Sequence, residues 1–152
     1  MSIRTTIVRR PIDVAALLAE IEDTANGATV VFLGQVREVN EGRAVTGIEY
    51  SAYAEMAERE LAAIASECAH SFGIEHLVAE HRLGELELGE TSIAIVVAHP
   101  HRGAAYEASR FVIEEVKRRL PIWKRERYVE GTSAWVNAGG VVEHAPAQES
   151  ES

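Results

Sequence analysis

Two lysines, Lys117 and Lys124, sit in one stretch that reads Lys117-Arg-Arg-Leu-Pro-Ile-Trp-Lys-Arg-Glu126. They are the only lysines in the chain, and the other 13 of its 15 basic residues are arginine. A chain that writes nearly all its positive charge as arginine has no evident need of lysine for solubility or surface pairing. An ammonium differs from a guanidinium in one respect that matters for chemistry. It can lose its proton when desolvated, and so act as nucleophile or as proton donor and acceptor, whereas arginine stays charged. Neighbouring Arg118, Arg119 and Arg125 are expected to lower a lysine pKa by like-charge repulsion, the direction such chemistry requires. The residues alone leave open a proton-transferring lysine, a lysine that forms a Schiff base with a carbonyl, and chance placement.

Three other groups join the candidates. Arg37 opens a polar loop that follows a strand, a common place for a binding residue, although a solvated loop charge is the plainer reading. His101 and Arg102 stand at the start of a helix, where free N–H groups and the dipole favour anions. His99-Pro-His101 lacks a third ligand and a helical His spacing, so no metal is expected there. Cys68 is the one cysteine. It excludes an internal disulfide, and its place on an apolar helix face marks it as an inert core thiol.

The elements that must position these residues follow from periodicity. Asp13 caps a short helix carrying Val14, Leu17, Leu18 and Ile21 and ending near Asn26-Gly27. Strands are expected over 28–36 and 45–53, then a helix over 55–71 with Ala57, Leu61, Ile64, Cys68 and Phe72 on one face. Gly73 stops it. A strand over 76–82, a turn-rich connection over 84–90 and a buried strand over 91–98 come next. The helix over 104–120 buries Ala105, Ala108, Phe111, Val112 and Val116, and Pro121 forbids its continuation. Strands over 122–129 and 133–136 flank a turn at Gly131. Trp123 and Trp135 read as core or interface anchors. This order, with short links between strands, predicts one α+β domain over 1–137 with mostly antiparallel pairing. Residues 138–152 read as a flexible acidic tail, with Gly139-Gly140 a break in it.

Helix length raises a geometric difficulty. Lys117 lies 15 residues beyond Arg102, about 22 Å along the axis. One chain's Arg102 and Lys117 are too far apart for one small ligand, and a symmetric dimer joining one helix start to another helix end resolves this.

The totals set outer bounds. With 152 residues and 47% hydrophobic content, the chain suits a single domain with a full core. Its net charge of −9 argues against a nucleic-acid binder. The charge is uneven, however. Residues 101–130 carry 8 basic and 5 acidic side chains, a net of +3, and the remainder carries 7 and 19, a net of −12. Such an island suits an anionic ligand or an acidic tail. No apolar run approaches the roughly 18 residues of a membrane span. Met-Ser-Ile-Arg-Thr-Thr leads into no signal-peptide core, so a cytoplasmic location is expected.

Linked motifs then carry a resemblance. His81-Arg-Leu-Gly-Glu-Leu with Gly89-Glu, the pair His101-Arg102, and Lys117-x-x-x-Pro-Ile-Trp-Lys-Arg-Glu126 closing on Gly131 and Trp135 resemble the large, catalytic subunit of molybdopterin synthase. Phe32-Leu-Gly-Gln-Val-Arg37 and the segment with Tyr53, Met56 and Glu60-Leu61 fit too, so the likeness spans residues 27–137. It implies an α/β-hammerhead fold and a homodimer with a small ubiquitin-like sulfur carrier at each end, a heterotetramer. It also implies transfer of sulfur from the carrier's C-terminal Gly-Gly thiocarboxylate to cyclic pyranopterin monophosphate, with no cofactor. The family's substrate-contacting positions fall on Gln35, Val36, Arg37, His101, Arg102, Lys117, Lys124, Arg125 and Glu126, from both large subunits. Lys117 and Lys124 are the expected catalytic pair. A carrier-binding adaptor without activity, or a Schiff-base enzyme, are the rival readings. The proline before His101-Arg102 departs from the small or flexible residue expected there.

Overall fold

The computed structural model describes residues 1–137 and the strand Gly140–Val142. In order, the elements are β1 (Ser2–Val8), α1 (Val14–Glu20), β2 (Ala28–Gln35), β3 (Val39–Asn40), β4 (Arg43–Ala52), α2 (Ala54–Phe72) and β5 (His76–Arg82). Then come β6 (Gly84–Glu87), β7 (Thr91–His99), α3 (Arg102–Arg119), β8 (Ile122–Tyr128), β9 (Ser133–Asn137) and β10 (Gly140–Val142). They make two sheets. One runs β1-β5-β7-β2, and the other runs β10-β9-β8-β4-β3 with β6 also paired to β4. Every pairing is antiparallel except β1 with β5. The expected α+β class with mostly antiparallel strands is what the chain adopts.

Strand parity decides what each side of the first sheet carries, because alternate side chains point to opposite faces. Leu77 and Ala79 of β5, with Ile93, Ile95 and Val97 of β7, pack against Leu61, Ile64 and Cys68 of α2 and Ala108, Val112 and Val116 of α3. Val78, Ala94, Val96 and Ala98 turn the other way, onto Leu17 and Ile21 of the α1 segment. With helices on both faces, β7 is buried almost throughout, which is why its sequence is a continuous apolar run. Each large aliphatic side chain enclosed there contributes about 1.5–3 kcal/mol. Glu80 shares the α1 side and is held by Arg4 at 2.8 Å and Arg10 at 3.2 Å. Cys68 is buried, and desolvation pushes its thiol up to about 12, as an inert core thiol requires.

Helix ends follow local chemistry. Asp13 accepts from the Ala16 N–H at 3.1 Å and starts α1. That helix stops at Glu20, short of the Asn26-Gly27 turn. Gly73 takes the left-handed conformation at φ 65° and closes α2. Leu120 is extended, the state a following proline favours, and α3 ends there.

Four strands lie outside the sequence expectation. β1 is an edge strand whose partner β5 is far along the chain, so no local pattern announces it. β6 falls within the stretch read as a turn-rich connection, β3 within the polar loop, and β10 within 138–152. The rest of 138–152 lies outside the described residues.

Candidate active-site cavity

A cavity of about 500 Å³ opens at the seam between the two sheets. The first sheet contributes Gly34 and Gln35 from the end of β2, His81 from β5, and Ser92 and Ile93 from β7. The second contributes Ile48 and Tyr50 from β4, Ile122, Lys124 and Glu126 from β8, and Val136 and Asn137 from β9. Val116 and Lys117 in the last turn of α3 cover it together with Leu120 just beyond the helix, and Arg37 and Asn40 close the rim.

Pro121 is central to this arrangement. It ends α3 and sends the chain straight into β8, so Lys117 on the helix and Lys124 on the strand face one space. Within β8, parity then sorts the charges. Lys124 and Glu126 point into the cavity, and their nearest atoms are 3.5 Å apart. Glu126 is buried and also accepts from the Tyr128 hydroxyl at 3.2 Å. Arg125 and Arg127 point the other way, where both pair with Glu49, at 2.5 and 3.3 Å. Arg125 also lies 4.8 Å from the Trp135 ring centroid.

Lys117 is exposed, yet the cavity wall strips part of its hydration. This desolvation, then the charges of Lys124 and Arg37, hold its pKa below the usual lysine range. The direction agrees with the sequence argument, but the neighbours responsible differ. Arg118 is taken up by Glu115 at 2.7 Å, Arg119 by Glu60 at 2.7 Å and Glu67 at 2.8 Å, and Arg125 by Glu49. Helical and strand geometry turn all three outward.

Of the positions singled out in the sequence, the structure brings Gln35, Arg37, Lys117, Lys124 and Glu126 to the cavity. Val36 is instead buried with Ile48 and Leu86, and its backbone groups bond Glu90 and Gly89. Arg125 occupies the opposite face of β8. His101 and Arg102 are exposed at the far end of the 18-residue α3. The His101 N–H donates to His99 Nδ1 at 2.9 Å, and the Gly27 N–H to the His99 carbonyl at 3.1 Å. A Cβ on Gly27 would lie 2.4 Å from the Pro100 oxygen, so this glycine allows the proline-bearing lead-in to pack where it does. Among the described residues, no group of three His, Cys, Asp or Glu is placed to hold a metal ion.

Tyr50, Ser92 and His81 belong to the cavity and were not among the candidates. His81 is buried, and its Nδ1 is 3.0 Å from the Arg82 carbonyl oxygen. Its ring meets that of Tyr50 edge-on, with centroids 5.3 Å apart. Desolvation pushes its pKa down to about 4, assisted by the charge of Lys117 and opposed by the Arg82 carbonyl. The signal that could have found it is parity, because His81 shares a face with Leu77 and Ala79 beneath α3. Burial likewise raises the Tyr50 phenol, with Ser92 opposing the shift.

Comparison with known proteins meets this geometry. The family model described as MoaE protein matches residues 7–119. A molybdopterin synthase catalytic subunit from Pyrococcus abyssi is 41% identical over 130 residues, covering 84% of this chain and 88% of that one. The crystal structure of molybdopterin synthase from Staphylococcus aureus superposes with a TM-score of 0.80 at 37% identity, covering 86% of this chain and 94% of that chain. A complex of subunits 1 and 2 of molybdopterin-converting factor from Helicobacter pylori gives a TM-score of 0.67 at 25% identity, covering 82% of this chain and 85% of that chain. With the match spanning most of the domain that builds the cavity, this chain belongs to the MoaE protein family.

Proposed function

We propose that this protein is the catalytic subunit of a molybdopterin synthase, a sulfurtransferase of molybdenum cofactor biosynthesis. It converts cyclic pyranopterin monophosphate to molybdopterin with sulfur from the C-terminal thiocarboxylate of a small ubiquitin-like carrier. The observation that carries this reading is the cavity where Lys117, Lys124 and Arg37 converge on a protein of net charge −9. Both reactants are anions, and a local positive field concentrates them. The Helicobacter pylori complex of two converting-factor subunits supports a carrier partner.

Lys117 stands at the thiocarboxylate carbonyl, where it stabilises developing negative charge and moves protons. Lys124, steadied by Glu126, orients the pterin, and Gln35 lines the same wall. Arg37, His101 and Arg102 hold phosphate and pterin, with His101 able to carry a proton. Because α3 separates Arg102 from Lys117 by about 22 Å, the His101-Arg102 pair reaches the cavity of a second copy, and the working unit is a homodimer with two carriers. Val36 and Arg125 support the site from behind its walls. The activity belongs in the cytoplasm and needs no cofactor.

Single-turnover conversion with a thiocarboxylated carrier, run on wild type and Lys117→Arg, tests the reading. Product from wild type and a loss of at least about 100-fold in the variant is expected, the scale of a lost acid–base or oxyanion group. No product from wild type with a competent carrier contradicts it, and points to an adaptor. Equal product from both removes Lys117 from the chemistry.

A further inference from the structure

We propose that Ser92 is a positioning residue of the cavity. It is the extra residue of a β-bulge in β7, and its hydroxyl, bonded to the Gly34 carbonyl, holds the end of β2 so that Gln35 faces the cavity. The proposal rests on the sulfur-transfer reading only for its effect on pterin binding, since the bulge is a property of the free protein.

The ladder between β2 and β7 breaks at one place. Its pairs run without interruption from Ala28 with His99 to Gly34 with Ile93, and the next pair is Gln35 with Thr91. Ser92 is passed over. On the other side of β7, pairing with β5 reaches only His81 with Ile93, so among the described residues Ser92 has a strand partner in neither neighbour. An extra residue of this kind bends its strand and re-aims the side chains around it. The Ser92 hydroxyl donates to the Gly34 carbonyl oxygen at 3.1 Å, a side-chain bond that ties the two strands together where the ladder is interrupted.

Side-chain parity breaks at the same place. Phe32 packs on the α2 and α3 side of the sheet and Leu33 on the α1 side, so alternation gives residue 35 to the α1 side. In β7, Ile93 and Ile95 pack toward α2 and α3 while Ala94 and Val96 pack toward α1, which assigns Ser92 to the α1 side as well. Yet Gly34, Gln35, Ser92 and Ile93 all line the cavity. One bulge accounts for both exceptions. Gly34 permits the close approach, because a Cβ there would lie 2.7 Å from Ile93 Cγ2 and 3.4 Å from Ser92 Oγ. Ser92 is buried, where a hydroxyl without a partner is costly, and the Gly34 carbonyl supplies that partner. The outcome is a neutral polar wall in the cavity that also holds Lys117 and Lys124. A glutamine amide both donates and accepts, which suits the amide-like edge of a pterin, whereas the cations suit its phosphate.

The test uses the whole protein and reads position 35 through the two lysines. In Gln35→Cys, a short reagent carrying a maleimide and a succinimidyl ester attaches to the new thiol and then to an amine within reach. Lys117 and Lys124 are the only lysines, and both line the cavity. Cys68 is buried with its thiol pushed up to about 12, so it stays unlabelled. With Ser92 in place, cross-linking of position 35 to Lys117 or Lys124 is expected, assigned by peptide mass spectrometry. Ser92→Thr and Ser92→Val add the same bulk and differ only in the hydroxyl. Ser92→Thr should keep the cross-link, and Ser92→Val should lose about 5-fold in yield, the scale of one hydrogen bond. Ser92→Ala, compared with the parent, takes the place of this pair if the bulkier variants fail to fold. Equal yields with and without the hydroxyl overturn the proposal. With Gln35 present, binding of cyclic pyranopterin monophosphate should be about 5-fold weaker in Ser92→Val than in Ser92→Thr, and the difference should vanish in a Gln35→Ala background. A difference that persists without Gln35 contradicts a role exerted through it. Failure of the wild type to bind the pterin would count against sulfur transfer, while the cross-link yields still decide the role of Ser92.

Discussion

Lys117 and Lys124 share a cavity but not a set of partners. Lys124 has Glu126 at 3.5 Å, whereas Lys117 faces partial desolvation and two positive neighbours. Removing one of those neighbours favours the ammonium. Arg37→Ala is therefore expected to raise the Lys117 pKa, so that Lys117 acylation requires a higher pH than in wild type. An unchanged Lys117 profile would mean that Arg37 exerts no field on it. At this scale the sequence was informative about residue type. Two lysines in a chain of arginines pointed to the candidate site, and both line the cavity. The source of the repulsion was not legible, because Arg125 lies beside Lys124 in sequence and on the opposite face in space. His81 was missed for a related reason, since its face depends on register with β7 rather than on its own neighbours.

Among the elements, α3 and its proline stop do most to place the candidate residues. The helix sets the separation between the His101-Arg102 pair and Lys117, and Pro121 turns the chain so that β8 brings Lys124 to the same cavity. Both features could be read from periodicity and one proline. Buttressing at the helix start could not, because it depends on Gly27 meeting Pro100 across β2 and β7. Gly27→Ala places a Cβ against backbone, and the lead-in to α3 must shift. The expected result is weaker pterin binding by about 10-fold with the Lys117 acylation profile intact, since the displaced pair is the one proposed to hold ligand while the cavity stays whole. Wild-type binding would show that the lead-in is indifferent to its packing. The strands β1 and β6 escaped the sequence for opposite reasons. One pairs with a distant parallel partner, and the other is a four-residue run bracketed by glycines that read as turns.

For the whole molecule, the buried histidine links the site to stability. Unfolded, His81 takes up a proton near pH 6.5, whereas in the native state it resists protonation down to about 4. Between those values the unfolded chain binds more protons, so stability falls as pH falls, by about 3 kcal/mol over the full window. Urea unfolding at pH 7 and pH 4 should show His81→Gln losing less stability than wild type by about that amount, and parallel losses would contradict it. The whole assembly poses a larger question, because one chain does not bring the helix start and the helix end to one ligand. The most direct measurement mixes two variants each expected to be inactive, Arg102→Ala and Lys117→Ala, under conditions that let dimers exchange, and assays carrier-dependent conversion of the pterin. In a random mixture half the dimers are hybrid, and one of the two sites in each hybrid has both residues intact, so about a quarter of wild-type turnover should return. Activity in either variant alone, or a mixture as inactive as its parts, would contradict a site shared between two chains.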